Sequence, residues 1–184
     1  MSSVATSLIT ADELLKMGDI GRCELIYGEL VMMSPAGFEH GAVVYRLTLQ
    51  IGTFVDAHNL GQILGAETGF KIESNPDLVR APDIGFVRRD RLTKSFPKGY
   101  FEGVPDLAVE VISPGDKKRE VAENVNTWLA HGTSSCWVAD PKSMTITIHR
   151  TGQKAVRLTA ADQFGDEPAL PGFVLDVSKI FKRP

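Results

Sequence analysis

The sequence predicts a mixed α/β fold, an α/β or α+β sandwich with helices on the faces of a mixed β-sheet. Three observations carry this prediction. Two long segments show apolar residues at helical spacing, and several short apolar runs are bounded by Gly, Pro, Asn and Asp. The two kinds alternate along the chain, with strands contiguous in its middle. The length of 184 residues suits one domain with a real core, so residues 1–184 are expected to form a single unit. An apolar fraction of 43% with 23% charged residues excludes general disorder, which is expected only over Met1–Ser7.

The elements follow in order. Thr10-Ala11-Asp12-Glu13 reads as a capping box opening a short helix that stops near Gly18. Glu24-Leu25-Ile26 and Glu29-Leu30-Val31, punctuated by Tyr27-Gly28, form an N-terminal β-hairpin. After the loop Ser34-Pro35-Ala36-Gly37, Val44, Leu47, Ile51, Phe54 and Val55 mark a helix from about Glu39 to His58, with Asn59-Leu60-Gly61 as its stop. Strands are expected over Gln62–Ala66, Thr68–Glu73 and Asp83–Val87, the second of these, carrying Lys71, lying beside the third. Arg88–Gly103 reads as a charged loop. Asp106–Ile112 reads as a central strand buried on both faces. A second helix covers roughly Lys118–His131 and ends at Gly132. Strands at Ser135–Ala139 and Met144–His149, a short one near Ala155–Leu158, and an apolar tail from Leu170 to Phe181 complete the chain.

Several classes of function are disfavoured. No apolar run is long enough to span a bilayer and the N-terminus lacks the pattern of a secretory signal, so a cytoplasmic location is expected. Cys23 and Cys136 lie in apolar segments and read as free buried thiols. No P-loop, dinucleotide fingerprint or GxSxG elbow is present. The net charge of -3 disfavours tight non-specific binding of nucleic acid. Two local basic clusters remain, Arg88, Arg89, Arg91, Lys94 and Lys98, and Lys117, Lys118 and Arg119; both also read as solvated loop charges.

The chemistry concentrates in carboxylates set into apolar runs. Asp83 follows Pro82 at the start of a strand and serves either as a turn residue or as a paired or metal-bound group. Glu110 sits between Val109 and Val111. On an edge strand it would face water; on a central strand an ionised Glu costs several kcal/mol unless it has a partner. Asp106 shares its face but lies roughly 13 Å away at about 3.3 Å per residue, too far to share one small metal. Asp83 is the better partner. Such a pair suits a hard cation such as Mg²⁺. His40, near a helix start, reads equally as a capping or packing residue, and Trp128 and Trp137 as core.

Taken in order, Glu24–Val31, Ser34-Pro35-Ala36 with Glu39-His40, Arg80-Ala81-Pro82-Asp83-Ile84, Val104–Pro114, Gly132 with Trp137–Pro141, and Leu170-Pro171-Gly172-Phe173 resemble the Uma2 family of bacterial restriction endonucleases. That family is similar to the PD-(D/E)XK nucleases, which implies a restriction endonuclease-like fold. The resemblance implies Asp83 and Glu110 as metal ligands and Glu24 or His40 near the site. It also implies a lysine, but Ile112 occupies the usual position and Asn124 the position on the following helix. Lys71, Lys117 and Lys118 are candidate substitutes.

The expected activity is therefore a Mg²⁺-dependent (or Mn²⁺-dependent) endonuclease acting on DNA. Asp83 and Glu110 would hold the metal, Glu24 and His40 would orient the site, and Lys71 would supply charge. A homodimer would place a site on each strand. The alternative is a nuclease-fold protein of weak or no activity, acting as a binding or regulatory module.

Overall fold

A computed structural model describes residues 8–182; Met1–Ser7 lie outside them. Helix α1 (Ala11–Lys16) is closed by the expected capping box. The Glu13 amide donates to Thr10 Oγ1 at 3.2 Å, and the Thr10 amide to Glu13 Oε2 at 2.8 Å. Strands β1 (Cys23–Ile26) and β2 (Glu29–Met32) form the hairpin in the expected register, with Leu25 opposite Leu30. Helix α2 (Phe38–His58) buries Val43, Leu47, Ile51 and Val55, and ends on Asn59 in the left-handed region at φ 53°.

The chain continues through β3 (Gly61–Gly65), β4 (Phe70–Glu73), β5 (Leu78–Arg80) and β6 (Ile84–Arg88). Then come β7 (Phe101–Glu102), β8 (Leu107–Val111), α3 (Lys118–Ala130) and β9 (Ser135–Asp140). β10 (Thr145–His149), β11 (Val156–Thr159), β12 (Gln163–Phe164) and β13 (Leu175–Asp176) close it. A six-stranded sheet runs β11-β10-β9-β8-β6-β3, and a five-stranded sheet runs β2-β1-β5-β4-β7. Both are mixed: β8–β9 and β4–β7 are the parallel pairs.

The mixed sheet flanked by helices is as expected, and one expectation is corrected: β4, with Lys71, does not lie beside β6 but in the second sheet. After β3 the chain leaves the large sheet at Ala66–Gly69, and β3 itself takes the edge of β6. Gly69 makes the departure possible: a Cβ there would sit 2.3 Å from the Tyr100 ring. β4 then pairs with β5 and β7, two strands absent from the sequence reading. β7 lies in the segment expected to be loop, where the Arg91 guanidinium covers the Phe101 ring at 5.4 Å.

The large sheet is packed on both faces. On one, Val109 and Val111 meet Leu47, Ile51 and Val55 of α2, together with the apolar tail through Leu170, Phe173, Leu175 and Ile180. On the other, Ala108 meets Val125 and Trp128 of α3, with Phe70, Val87 and Val138. Each fully buried side chain of this kind contributes about 1.5–3 kcal/mol. The helix stops at Gly132, whose φ of 104° a side chain would resist. β9 then starts directly and pairs with β8.

Candidate active site

Glu110 breaks the apolar alternation of β8. Residues 107, 109 and 111 point to the α2 face, which leaves 108 and 110 for the α3 face. Trp128 waits there, and its indole N–H donates to Glu110 Oε1 at 2.7 Å. An apolar residue would suit that layer better, so the carboxyl is held at a cost to packing. β8 lies inside the six-stranded sheet, so Glu110 is not on an edge facing water.

β6 and β8 are antiparallel with Ile84 opposite Val109; one step further, Asp83 comes opposite Glu110. Asp83 is buried at the mouth of β6, and its Oδ2 accepts the Val111 amide at 2.8 Å. His40 Nε2, from the first turn of α2, donates to the same oxygen at 3.1 Å. Among the described residues, Oδ1 receives one hydrogen bond, from the Arg22 guanidinium at 3.4 Å. Among the described residues, nothing hydrogen-bonds to Glu110 Oε2.

Glu24 on β1 is also buried, and it is fully engaged. Its Oε2 accepts Arg80 Nε at 3.1 Å and a terminal Arg80 nitrogen at 2.9 Å. Its Oε1 accepts the Ala81 amide at 3.0 Å. Glu24 therefore fixes the Arg80-Ala81-Pro82-Asp83 turn and with it the position of Asp83. The hairpin and the large sheet meet through this contact.

These groups line a cleft of about 1000 Å³. Arg22, Glu24, His40, Arg80, Asp83 and Glu110 form one side; Asp116, Glu120, Glu123 and Asn124 contribute the α3 side. The structure thus brings together Asp83, Glu110, Glu24 and His40, and places Asn124 in the same cleft. It does not bring Lys71 there. The Lys71 ammonium lies on the other sheet, 3.9 Å from Asp77, whose Oδ2 also holds the Ala11 amide at 2.7 Å. Lys117 pairs with Glu120 at 2.9 Å, and Lys118 is exposed outside the cleft lining.

Three site residues escaped sequence reasoning: Arg22, Arg80 and Trp128. Arg80 stands inside the motif that contains Asp83, and Arg22 lies two residues before Glu24, on the same face of an extended chain. Trp128 carried a signal of its own, since a buried indole N–H needs an acceptor.

Like charges strain the cleft. Burial, then Asp83, push the Glu110 carboxyl up to about 8; Glu24 adds to this, while the Trp128 hydrogen bond and Arg80 oppose it. Glu110 therefore holds a proton where most carboxyls are ionised. Among the described residues no cluster of three or more His, Cys, Asp or Glu is arranged to hold a metal ion. Mg²⁺ asks for less: one or two carboxylates, with water and substrate oxygens completing its shell. Two facing carboxyls, one of them with an oxygen free of hydrogen bonds, fit that requirement.

A family model described as "Putative restriction endonuclease" matches residues 11–178. Among solved structures, one from Anabaena variabilis ATCC 29413, described as "a putative nuclease belonging to DUF820", is similar with a TM-score of 0.78. Identity is 22%, over 94% of this chain and 97% of that one, and the likeness shows a common fold. No curated protein matches the chain.

Proposed function

This chain belongs to the Uma2 family, and on that premise we propose that it is a metal-dependent endonuclease hydrolysing phosphodiester bonds in DNA. The observation that carries the reading is the Asp83–Glu110 pair, two carboxyls from neighbouring strands facing each other in a cleft where nothing among the described residues neutralises both. Asp83 and Glu110 would hold Mg²⁺ or Mn²⁺, which lowers the pKa of a bound water and shields phosphate charge.

The protein's own groups prepare that arrangement. His40, Arg22 and the Val111 amide hold Asp83 in place. Trp128 fixes one oxygen of Glu110 and leaves the other available. Glu110 would have to shed its proton to serve as a ligand, which would couple metal uptake to proton release. Glu24 positions Arg80 and the turn that carries Asp83. Two copies of the chain would cut both strands of a duplex, and a homodimer is part of the reading.

A second reading is favoured by Asn124, an uncharged amide where a lysine is expected: a nuclease-fold protein that binds nucleic acid and cleaves it weakly or not at all. One assay separates the two. Purified protein is incubated with plasmid and Mg²⁺ or Mn²⁺, beside the Asp83→Ala/Glu110→Ala double variant. Metal-dependent cleavage lost in the variant supports the nuclease. No cleavage, or equal cleavage by the variant, overturns it. Sedimentation of the wild type as a monomer at assay concentration would remove the dimer.

A further inference from the structure

We infer that Arg22 is a further catalytic residue, the cation that meets the phosphate in this cleft. The inference rests on the nuclease reading and supplies the charge that reading lacks. A phosphoryl-transfer site needs a fixed positive group facing the charge that develops on the phosphate oxygens, often the largest single contribution to the rate. The lysines do not provide it: Lys71 stands beside Asp77 on the other sheet, Lys117 is held by Glu120, and Lys118 lies outside the cleft lining.

Two arginines line the cleft. Arg80 is clamped by one oxygen of Glu24 through two nitrogens, at 3.1 and 2.9 Å, which makes it part of the scaffold. Arg22 is held loosely. Among the described residues its guanidinium makes a single hydrogen bond, 3.4 Å to Asp83 Oδ1, and the side chain is 19% exposed. A guanidinium carries five N–H donors in a planar fork suited to phosphate oxygens. With one of them on Asp83, the others remain for a ligand that also approaches Asp83.

The backbone under Arg22 is fixed. Its carbonyl accepts the Met33 amide at 2.9 Å, and the next residue opens β1. The side chain is thus anchored by sheet pairing at its base and held at its tip by Asp83 alone among the described residues. The opposite wall contributes no cation to the lining: Asp116, Glu120 and Glu123 stand there, the last two paired with Lys117 and Arg119 outside it. A phosphodiester entering this space is therefore directed to the Arg22 side, next to Asp83 and Glu110.

The test compares wild type, Arg22→Gln, Arg22→Lys and Lys118→Gln, each confirmed folded by thermal melting. Plasmid cleavage is measured with Mn²⁺. Binding of a short fluorescein-labelled DNA duplex in EDTA is measured across a salt series. Arg22→Gln is expected to lose roughly 10²–10³ in kcat. Its slope of log Kobs against log salt should fall by about 0.9, the loss of one phosphate contact. Arg22→Lys should keep the slope and part of the rate, and Lys118→Gln should match wild type in both. A residue that merely braced Asp83 would leave the salt slope unchanged. Wild-type rate and slope in Arg22→Gln, with the Asp83→Ala/Glu110→Ala variant inactive, would overturn this inference and leave the nuclease reading standing. A wild type that binds without cleaving still decides the inference by its slope; one that neither cleaves nor binds overturns both.

Discussion

The paired strands β6 and β8 carry an acid at each end, and the two ends are built on opposite electrostatic terms. At one end Asp106 is saturated. It accepts the Arg88 amide at 2.9 Å and an Arg91 guanidinium nitrogen at 3.0 Å, with Arg88 Nε at 3.6 Å. At the other end Glu110 has one indole N–H and faces Asp83 and Glu24. Asp106 needs nothing further, while burial and then Asp83 push the Glu110 carboxyl up to about 8. A buried acid whose partners are all supplied by the chain serves the fold; one crowded by like charge in a cleft is a candidate for chemistry.

The sharpest way to break this comparison is to remove each acid. Asp83→Ala or Glu110→Ala should lower metal-dependent plasmid cleavage by at least about 10³-fold, in line with losing an element that stabilises the transition state. Asp106→Asn should leave the rate within a few-fold and lower stability by about 1–3 kcal/mol, read by urea unfolding. Reversal of the two outcomes would invert the assignment of the ends.

The second prediction concerns pH. The Glu110 carboxyl is raised from 4.5 to about 8 in the folded protein. Between those values the folded state keeps a proton that the unfolded chain has released. Stability of the metal-free protein therefore falls as pH rises through that window. Glu110→Gln keeps an acceptor for Trp128 and removes the titration. Its melting temperature should exceed that of wild type at pH 8 and converge with it near pH 4. Mn²⁺ should raise the wild-type melting temperature at pH 8 and leave Glu110→Gln nearly unmoved. A wild-type curve parallel to that of Glu110→Gln would remove the strain from the cleft end.

A smaller effect is expected from Asn124→Lys, which adds a positive charge to a cleft wall whose lining includes Asp116, Glu120 and Glu123 and no cation. Cleavage should rise by up to about tenfold, measured as initial rate on plasmid. The smallest belongs to Lys71→Ala. With its partner Asp77 on the other sheet, cleavage should stay at the wild-type rate. Stability should drop by less than about 1 kcal/mol in the same urea titration.

Local patterns were legible in the sequence where local physics decides them. The capping box, the hairpin register, both long helices and the strand holding Glu110 follow from spacing and turn chemistry over a few residues. Asp83 and Glu110 stood out because a carboxyl inside an apolar run has few explanations. Lys71 was misread for a different reason. Which sheet a strand joins depends on pairings far apart in sequence, and the short β5 and β7 left too little pattern to reveal the second sheet. Arg22 and Arg80 were missed because an arginine at a strand boundary looks like any solvated charge until its partner, Asp83 or Glu24, arrives from another element. The basic clusters carried two readings, a binding patch or ordinary loop charges, and their partners are local: Arg88 and Arg91 serve Asp106 at the strand ends away from the cleft, and Arg119 pairs with Glu123 at 2.8 Å.

The hydrogen bond from Trp128 to Glu110 also makes the site observable by light. Indole emission responds to the charge on a group bonded to its N–H, so loss of the Glu110 proton would have an optical signature. The chain has two tryptophans, and Trp137 sits on the other face of the sheet with its own acceptor in Glu167 at 2.9 Å. With Trp137 replaced by Phe, the remaining fluorescence would follow the ionisation state of the cleft directly, with no substrate and no turnover.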